Sequence, residues 1–357
     1  MKFKNHLFLI FTLFLFVPMN DIGSLIPQTQ LINFYENKNI DYKWLWDEFA
    51  AAPGNINGPD IEIWGSNFGF YHNLTEMQNK LQSLENNFPD LIKLENIGFS
   101  YQGNEIIAVR ITNELVTQPK KEFLVVAQHH AREIITLENA LYFIDRIVFD
   151  FINNVEKITE ILNERIFYIV PSLNIDALEM LHLWSIQRKN LHPIDEDGDG
   201  TRDDNELLVK LDLDNDGIIG EDLPGGVDLN RNYAYKWDSL VGSSNISASN
   251  IYRGEAPFSE LETQALANFV RKHHFQTAVS LHSGSFRIIT PWAHDLNKTC
   301  PDAEVYNFIG NTIQSITTLP HDKSYPCSGE WGDWMYGVRG IVAVTLEVYG
   351  LDGAETV

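Results

Sequence analysis

The chain is expected to fold as an α/β protein with a mixed, mostly parallel central sheet and helices on both faces. Three observations predict this. From about Trp64 onward, short runs rich in β-branched and aromatic residues alternate with stretches of helical spacing. Several of those runs are apolar without alternation, the pattern of strands buried on both faces. With 44% hydrophobic and 21% charged residues among 357, the chain has enough apolar material for a sizeable core, and global disorder is excluded.

The elements follow in order. Residues 106–112 and 123–127 read as strands, and 137–152 has helical spacing. A third strand, 166–170, ends at Pro171. Residues 260–273 read as a helix whose apolar side carries Leu261, Ala265, Leu266 and Phe269. His273 and His274 then sit at the negative end of its dipole. Residues 277–281 form another strand, and 341–348 is a long, nearly continuous apolar run.

The first residues have a different character. Lys2 and Lys4 precede an apolar run over 7–17, interrupted only by Thr12. It is too short for a bilayer span, which needs ~20 residues, and suits the hydrophobic region of a signal peptide. No small-x-small cleavage site follows at 18–21, so 1–20 reads as a signal peptide or an N-terminal anchor. The protein is therefore expected to be secreted or extracellular, or held to a membrane by its N-terminus. Residues 21–63, with Pro27, Pro53, Gly54, Gly58 and Pro59, read as a short pro-segment or linker. Residues 64–357 form the main domain.

Charge and cysteine content narrow the function. The chain has 26 Lys+Arg against 49 Asp+Glu, a net −23. So acidic a surface excludes nucleic acid and anionic membrane surfaces as partners, and it favours cations. Two cysteines, Cys300 and Cys327, exclude a disulfide scaffold, a Cys-rich zinc module and an iron–sulfur site. Either one disulfide or two free thiols is compatible with the pattern. Neither a G-x-S-x-G nor a P-loop motif occurs.

One constellation carries chemistry. His130 and Glu133 form an H-x-x-E pair just past the strand 123–127, and i, i+3 spacing puts both side chains on one face of a turn. An imidazole and a carboxylate suit zinc, which takes three protein ligands in a catalytic site. Alone the pair is weak, because eleven histidines produce such spacings by chance. His282 ends another buried strand, and ligand sites in open α/β sheets gather at strand carboxyl ends. Asp228, within Gly226-Val-Asp-Leu-Asn-Arg-Asn232, suits orientation of a ligand imidazole. Asn230 and Arg231 offer an amide and a guanidinium fork for a carboxylate. Glu347 is an acid inside an apolar run, so a buried side chain there should face a cation or a reacting water.

The segments HHAREIITLENALYFI (129–144), IVPSLNIDALEM (169–180), RKN (188–190), GVDLNRNY (226–233), SLHSGS (280–285), YPCSGEWGDWMY (325–336) and VTLEVYG (344–350) stand in this order. Through them the chain resembles the zinc metallocarboxypeptidases of the carboxypeptidase A/B type, in a prokaryotic-like form, over about 64–350. The resemblance implies a zinc carboxypeptidase-like fold and an exopeptidase that removes C-terminal residues from peptides. It implies that His130, Glu133 and His282 hold zinc, that Glu347 is the general base for the attacking water, and that Arg188 stabilises the oxyanion. It implies that Asn230 and Arg231 hold the substrate carboxylate, that Tyr325 closes over the bound residue, and that Arg132 contacts substrate further upstream. It also places Cys327, Glu330, Gly332 and Thr345 in the wall of the side-chain pocket. Departures follow as well. Gly284 stands where many relatives carry a tyrosine, 21–63 is short for an inhibitory pro-domain, and the catalytic domain is expected to be truncated at its C-terminus.

Between Arg188 and Gly226 lies an acidic insertion, 195–222, with twelve acidic and two basic residues. Asp195, Asp197, Asp199, Asp203 and Glu206 occupy loop positions 1, 3, 5, 9 and 12, with Thr201 at 7 and Gly200 at 6. That is the ligand spacing of an EF-hand calcium loop. Asp212, Asp214 and Asp216 repeat its first half. A structural calcium site is expected here; the plainer reading is a solvated acidic loop. Two other functions compete with the carboxypeptidase: a murein stem-peptide peptidase using the same zinc site, and a calcium-stabilised binding protein without catalysis.

Overall fold

The computed structural model describes residues 71–181, 187–192, 226–247, 249–321 and 325–350. The N-terminal segments 1–20 and 21–63 lie outside the described residues. So does the acidic insertion, with Asp195, Asp197, Asp199, Thr201, Asp203, Glu206, Asp212, Asp214 and Asp216.

Six strands form one sheet: β1 (Ile92–Phe99), β2 (Glu105–Ile111), β3 (Lys121–Ala127), β4 (Arg165–Val170), β5 (Phe275–Ile289) and β6 (Val342–Gly350). Their spatial order is β1-β2-β4-β3-β5-β6. β4, β3, β5 and β6 are mutually parallel neighbours, while β1 and β2 pair antiparallel at one side. In β3 the five residues from Phe123 to Ala127 are all buried. Successive side chains point to opposite faces, so this strand is covered on both.

The cover comes from helices. These are α1 (Leu74–Asn87), α2 (Ile135–Ile152), α3 (Glu156–Glu164), α4 (Ile175–Met180), α5 (Leu261–Lys272), α6 (Ala303–Thr317) and α7 (Trp331–Arg339). α2 packs on β3, β4 and β5, α3 on β4, α1 and α5 on β1, and α7 on β6. α1 begins with a reciprocal capping box between Asn73 and Glu76, which satisfies two otherwise orphaned N–H groups. α7 is capped by the Glu330 side chain, which accepts from the Asp333 N–H. No helix among the described residues is long and apolar enough to cross a membrane.

β5 bends after its parallel arm. Thr277 to His282 pair with Val342 to Glu347 in step. From Ser285 the register runs the other way, Arg287 lying opposite Glu347 and Ile289 opposite Thr345. The reversal centres on Gly284, whose φ of +139° is costly for any side chain. Cys300 and Cys327 are both buried and both free, which settles the pairing the sequence left open.

Candidate active site

Three adjacent strand ends build the site. β3 stops at Ala127, and Gln128 turns the chain with φ of 54°, a conformation uncommon outside glycine. The turn is held by the Gln128 N–H donating to Thr136 Oγ1 at 3.1 Å and by its Nε2 donating to Ala131 O at 3.0 Å. His130 and Glu133 follow, with Nδ1 and Oε1 2.8 Å apart. β5 lies beside β3 with Leu281 opposite Ala127, so His282 emerges at the same edge. Its Nδ1 is 3.0 Å from Glu133 Oε2 and 3.3 Å from His130 Nδ1. β6 lies beside β5 with Glu347 opposite His282. The predicted trio is thus brought together at the carboxyl ends of parallel strands.

Suitable atoms of His130, Glu133 and His282 all lie within 4.8 Å of one another, and all three residues are buried. No other group of three His, Cys, Asp or Glu does this among the described residues. The donor set fits a divalent cation. His130 Nε2 is 3.0 Å from Asp228 Oδ1, a contact that calls for a proton on Nε2. In the neutral imidazole that leaves a lone pair on Nδ1, facing a carboxylate oxygen at 2.8 Å. Two acceptors so close call for a proton or a metal cation between them, and imidazole nitrogen with carboxylate oxygen is a zinc donor set. His130 and His282 together hold the Glu133 carboxyl well below its usual range, against the upward push of burial.

Asp228 works in two directions. It precedes the 3-10 turn Leu229–Arg231 and caps it by accepting from the Asn230 N–H. While Oδ1 meets His130, Oδ2 accepts from Arg188 Nε and Nη2 at 3.1 and 2.9 Å. Burial would raise the Asp228 pKa, but Arg188, Arg231 and His130 hold it far down. Arg188 Nη1 lies 3.9 Å from Glu133 Oε1, so the guanidinium borders the trio. The Asn230 Oδ1 accepts from the Trp331 N–H at 3.0 Å, which turns Nδ2 toward His282 Nε2 at 3.4 Å. Arg231 is buried, with Nε donating to Gly242 O at 2.6 Å and Nη1 to Asn230 O at 2.9 Å. Gly242 also lets the Pro326 backbone approach closely, since a Cβ there would lie 1.8 Å from Pro326 O.

Glu347 is 4% exposed, and its Oε2 has no hydrogen-bond partner among the described residues. Burial, and then the Glu133 charge, raise its pKa. Tyr325 is half-buried and donates its hydroxyl to Glu347 Oε1 at 3.1 Å. Burial and the Glu347 charge push the Tyr325 phenol well up. Arg132 is half-buried; burial and the neighbouring Arg188 lower its pKa. Glu330 is buried rather than solvated, with Oε1 accepting from Thr345 Oγ1 at 3.3 Å and Oε2 from the Asp333 N–H at 2.8 Å.

One residue at the site escaped sequence reasoning. His129, beside the predicted ligand His130, is fully buried and stacks on His282 with centroids 5.3 Å apart and planes at 18°. The doubled histidine was the only signal for it.

A buried histidine–carboxylate–histidine cluster beside a glutamate with one unpartnered oxygen, on the carboxyl edge of a mostly parallel sheet, defines an α/β metal-site protein. Residues 77–352 match the family model described as zinc carboxypeptidase, and the chain belongs to that family. Mouse (Mus musculus) carboxypeptidase A4 is 25% identical over 347 residues, covering 92% of this chain and 76% of that protein. Zinc carboxypeptidase A 1 of Drosophila melanogaster is 28% identical over 293 residues, covering 77% and 60%. The crystal structure of thrombin activatable fibrinolysis inhibitor matches with a TM-score of 0.64 at 24% identity, over 78% of this chain and 66% of that one. Carboxypeptidase A from Helicoverpa armigera matches with a TM-score of 0.63 at 21% identity, over 87% and 72%. At these identities the two structures speak to the fold, and they share the α/β architecture described above.

Proposed function

We propose that this protein is a zinc-dependent exopeptidase that removes C-terminal residues from peptides, with Glu347 as general base. The observation that carries the reading is Glu347 itself: a buried carboxylate with an unpartnered oxygen, at the strand end next to His282. A buried carboxylate without a use would be costly, so it marks a place where a proton or a charge is handled. Zinc held by His130, Glu133 and His282 would supply Lewis acidity to the scissile carbonyl and to water. The remaining steps fall to the chain's own side chains. Glu347 takes the proton of the attacking water and passes it to the leaving amine, a role its raised pKa suits. Arg188, held in place by Asp228, meets the negative charge that develops on the carbonyl oxygen. Arg231 and Asn230 hold the substrate carboxylate, which explains a demand for a free C-terminus. Tyr325 covers the bound residue, and Arg132 meets the peptide upstream.

The complete set of ligands, base and arginines supports an enzyme over a calcium-stabilised binding protein. Export through the apolar stretch at 7–17 belongs to the same proposal, supported by its length and its flanking lysines. A structural calcium site in 195–222 is likewise supported by ligand spacing alone.

The experiment uses peptides with free and amidated C-termini, read by mass spectrometry. The wild-type chain should shorten free peptides stepwise from the C-terminus and leave amidated ones intact. Glu347→Gln should keep one zinc per chain and lose several orders of magnitude in kcat. Internal cleavage, or near-normal turnover by Glu347→Gln, would overturn the reading.

A further inference from the structure

We infer that His129 is a positioning residue: a neutral imidazole locked between two hydroxyls, whose face holds the ring of His282 at the angle its metal contact needs. The inference rests on the zinc reading of the site and adds a residue to it.

His129 has no solvent exposure. Its Nδ1 lies 3.1 Å from Ser280 Oγ on β5, and its Nε2 lies 3.0 Å from Tyr233 Oη in the loop after the 3-10 turn. A hydroxyl both donates and accepts, so this pair satisfies a neutral imidazole in either tautomer. Among the described residues no carboxylate bonds to the ring, as one would to stabilise a cation. The ring is therefore held at both nitrogens and stays uncharged, which is what a flat partner beside a cation site requires.

Its geometry then acts on His282. The two rings are nearly parallel at 18° and 5.3 Å, an offset stack, while His130 meets His282 nearly edge-on at 4.8 Å and 63°. Trp331 meets His129 edge-on, at 6.1 Å and 62°. His282 lacks the carboxylate tether that Asp228 gives His130: its Nε2 faces Asn230 Nδ2 at 3.4 Å, an amide donor that cannot accept the Nε2–H left when Nδ1 ligates, and no other partner of that nitrogen occurs among the described residues. With so weak an outer bond, the plane of His282 is set by what lies against its face. The aim of its Nδ1 toward Glu133 and His130 thus depends on His129. Residues that orient metal ligands typically change metal affinity 10–100-fold when removed.

The test measures zinc affinity of the full chain by competition with a chelator, without reference to turnover. His129→Leu removes the stacked ring and should weaken zinc about 10–100-fold. His129→Phe keeps the ring face, loses both hydrogen bonds, and should stay within about threefold of wild type. Tyr233→Phe, which frees one nitrogen of His129 and keeps its ring, should likewise stay within about threefold, and His129→Gln, which keeps hydrogen-bonding atoms but removes the ring, should weaken zinc as His129→Leu does and keeps the test open should the leucine variant fail to fold. Cobalt-loaded His129→Leu should show an altered visible spectrum, because ligand geometry changes with His282. Wild-type affinity and spectrum in His129→Leu would overturn the inference, as would equal losses in the Leu and Phe variants. A wild-type chain that takes no zinc would overturn the metal reading along with it.

Discussion

The Tyr325 hydroxyl donates to Glu347 Oε1 at 3.1 Å, across 22 residues of sequence, and is the one hydrogen bond this carboxylate receives among the described residues. It places the aromatic side chain proposed to cover the substrate in contact with the acid proposed to do the chemistry. A hydrogen bond to the charged form of an acid lowers its pKa. Here it works against burial and the Glu133 charge, which raise it.

Tyr325→Phe should therefore move the Glu347 pKa further up. The general base acts deprotonated, so the acid limb of the kcat/KM profile should shift to higher pH, with loss greatest below neutrality. The plateau at high pH should change less than the acid side. A pH–rate profile of both forms checks this. A parallel drop at all pH values would mean that Tyr325 affects binding alone.

Asp228 joins the proposed metal ligand His130 to Arg188 through its two oxygens. Asp228→Asn keeps the shape but cannot accept at both atoms. The variant should lose about 10–100-fold in zinc affinity through the disoriented imidazole. At saturating zinc a further loss in kcat should remain, because Arg188 has lost its anchor. Titration with zinc separates the two. Full recovery of kcat at high zinc would confine Asp228 to the metal.

Glu262, in the first turn of α5, is fully buried, with Oε2 accepting from Asn190 Nδ2 at 3.2 Å and Oε1 unpartnered. Burial and the nearby Glu260 push its carboxyl up to about 8. The sign follows from linkage. The folded state favours the protonated acid, so stability is full below the unfolded value near 4.5 and is lost as pH rises toward 8. Glu262→Gln should remove this loss, raising stability by an amount on the order of a few kcal/mol at pH 8.5 and little at pH 5. Urea midpoints at the two pH values test it. An equal change at both would show that Glu262 is not the titrating group.

How far the sequence carried these conclusions depends on burial. β3, β4, the first arm of β5 and β6 were legible because strands covered on both faces are apolar throughout. The ends were set by tertiary pairing: β5 continues to Ile289 only because it turns at Gly284 and runs back along β6. β1 was not legible. It is an edge strand with Lys93, Glu95 and Asn96 among its residues, and its apolar pattern is broken. The trio His130, Glu133 and His282 was readable from spacing and strand ends. Nothing local marks Glu262 as buried, since its partner Asn190 lies 72 residues away in sequence. The second grip of Asp228 on Arg188 was equally hidden, because the two are separated by the insertion.

Glu330 bears on specificity. A loop glutamate is usually solvated, but this one is 5% exposed, caps α7 and touches Thr345. Gly332 lies beside it, where an added Cβ would be 3.1 Å from both carboxylate oxygens. Three of the four residues expected in the pocket wall are therefore in contact. Cys327 joins them through its electrostatic coupling to Glu330, and its own thiol is pushed up to about 12, chiefly by burial. Burial and Asp333 raise the Glu330 pKa. An arriving Lys or Arg side chain would find a shielded counter-ion in Glu330, whereas Phe or Leu would meet Gly332, which adds neither charge nor bulk to the wall. The expected enzyme accepts both basic and apolar C-terminal residues. Glu330→Gln is the sharper test than Glu330→Ala, since it keeps an oxygen for the helix cap while removing the charge. It should lower kcat/KM for Lys and Arg substrates about tenfold or more and leave Phe and Leu substrates within about twofold. Equal losses for both substrate types would place Glu330 outside the pocket, as a cap and nothing more.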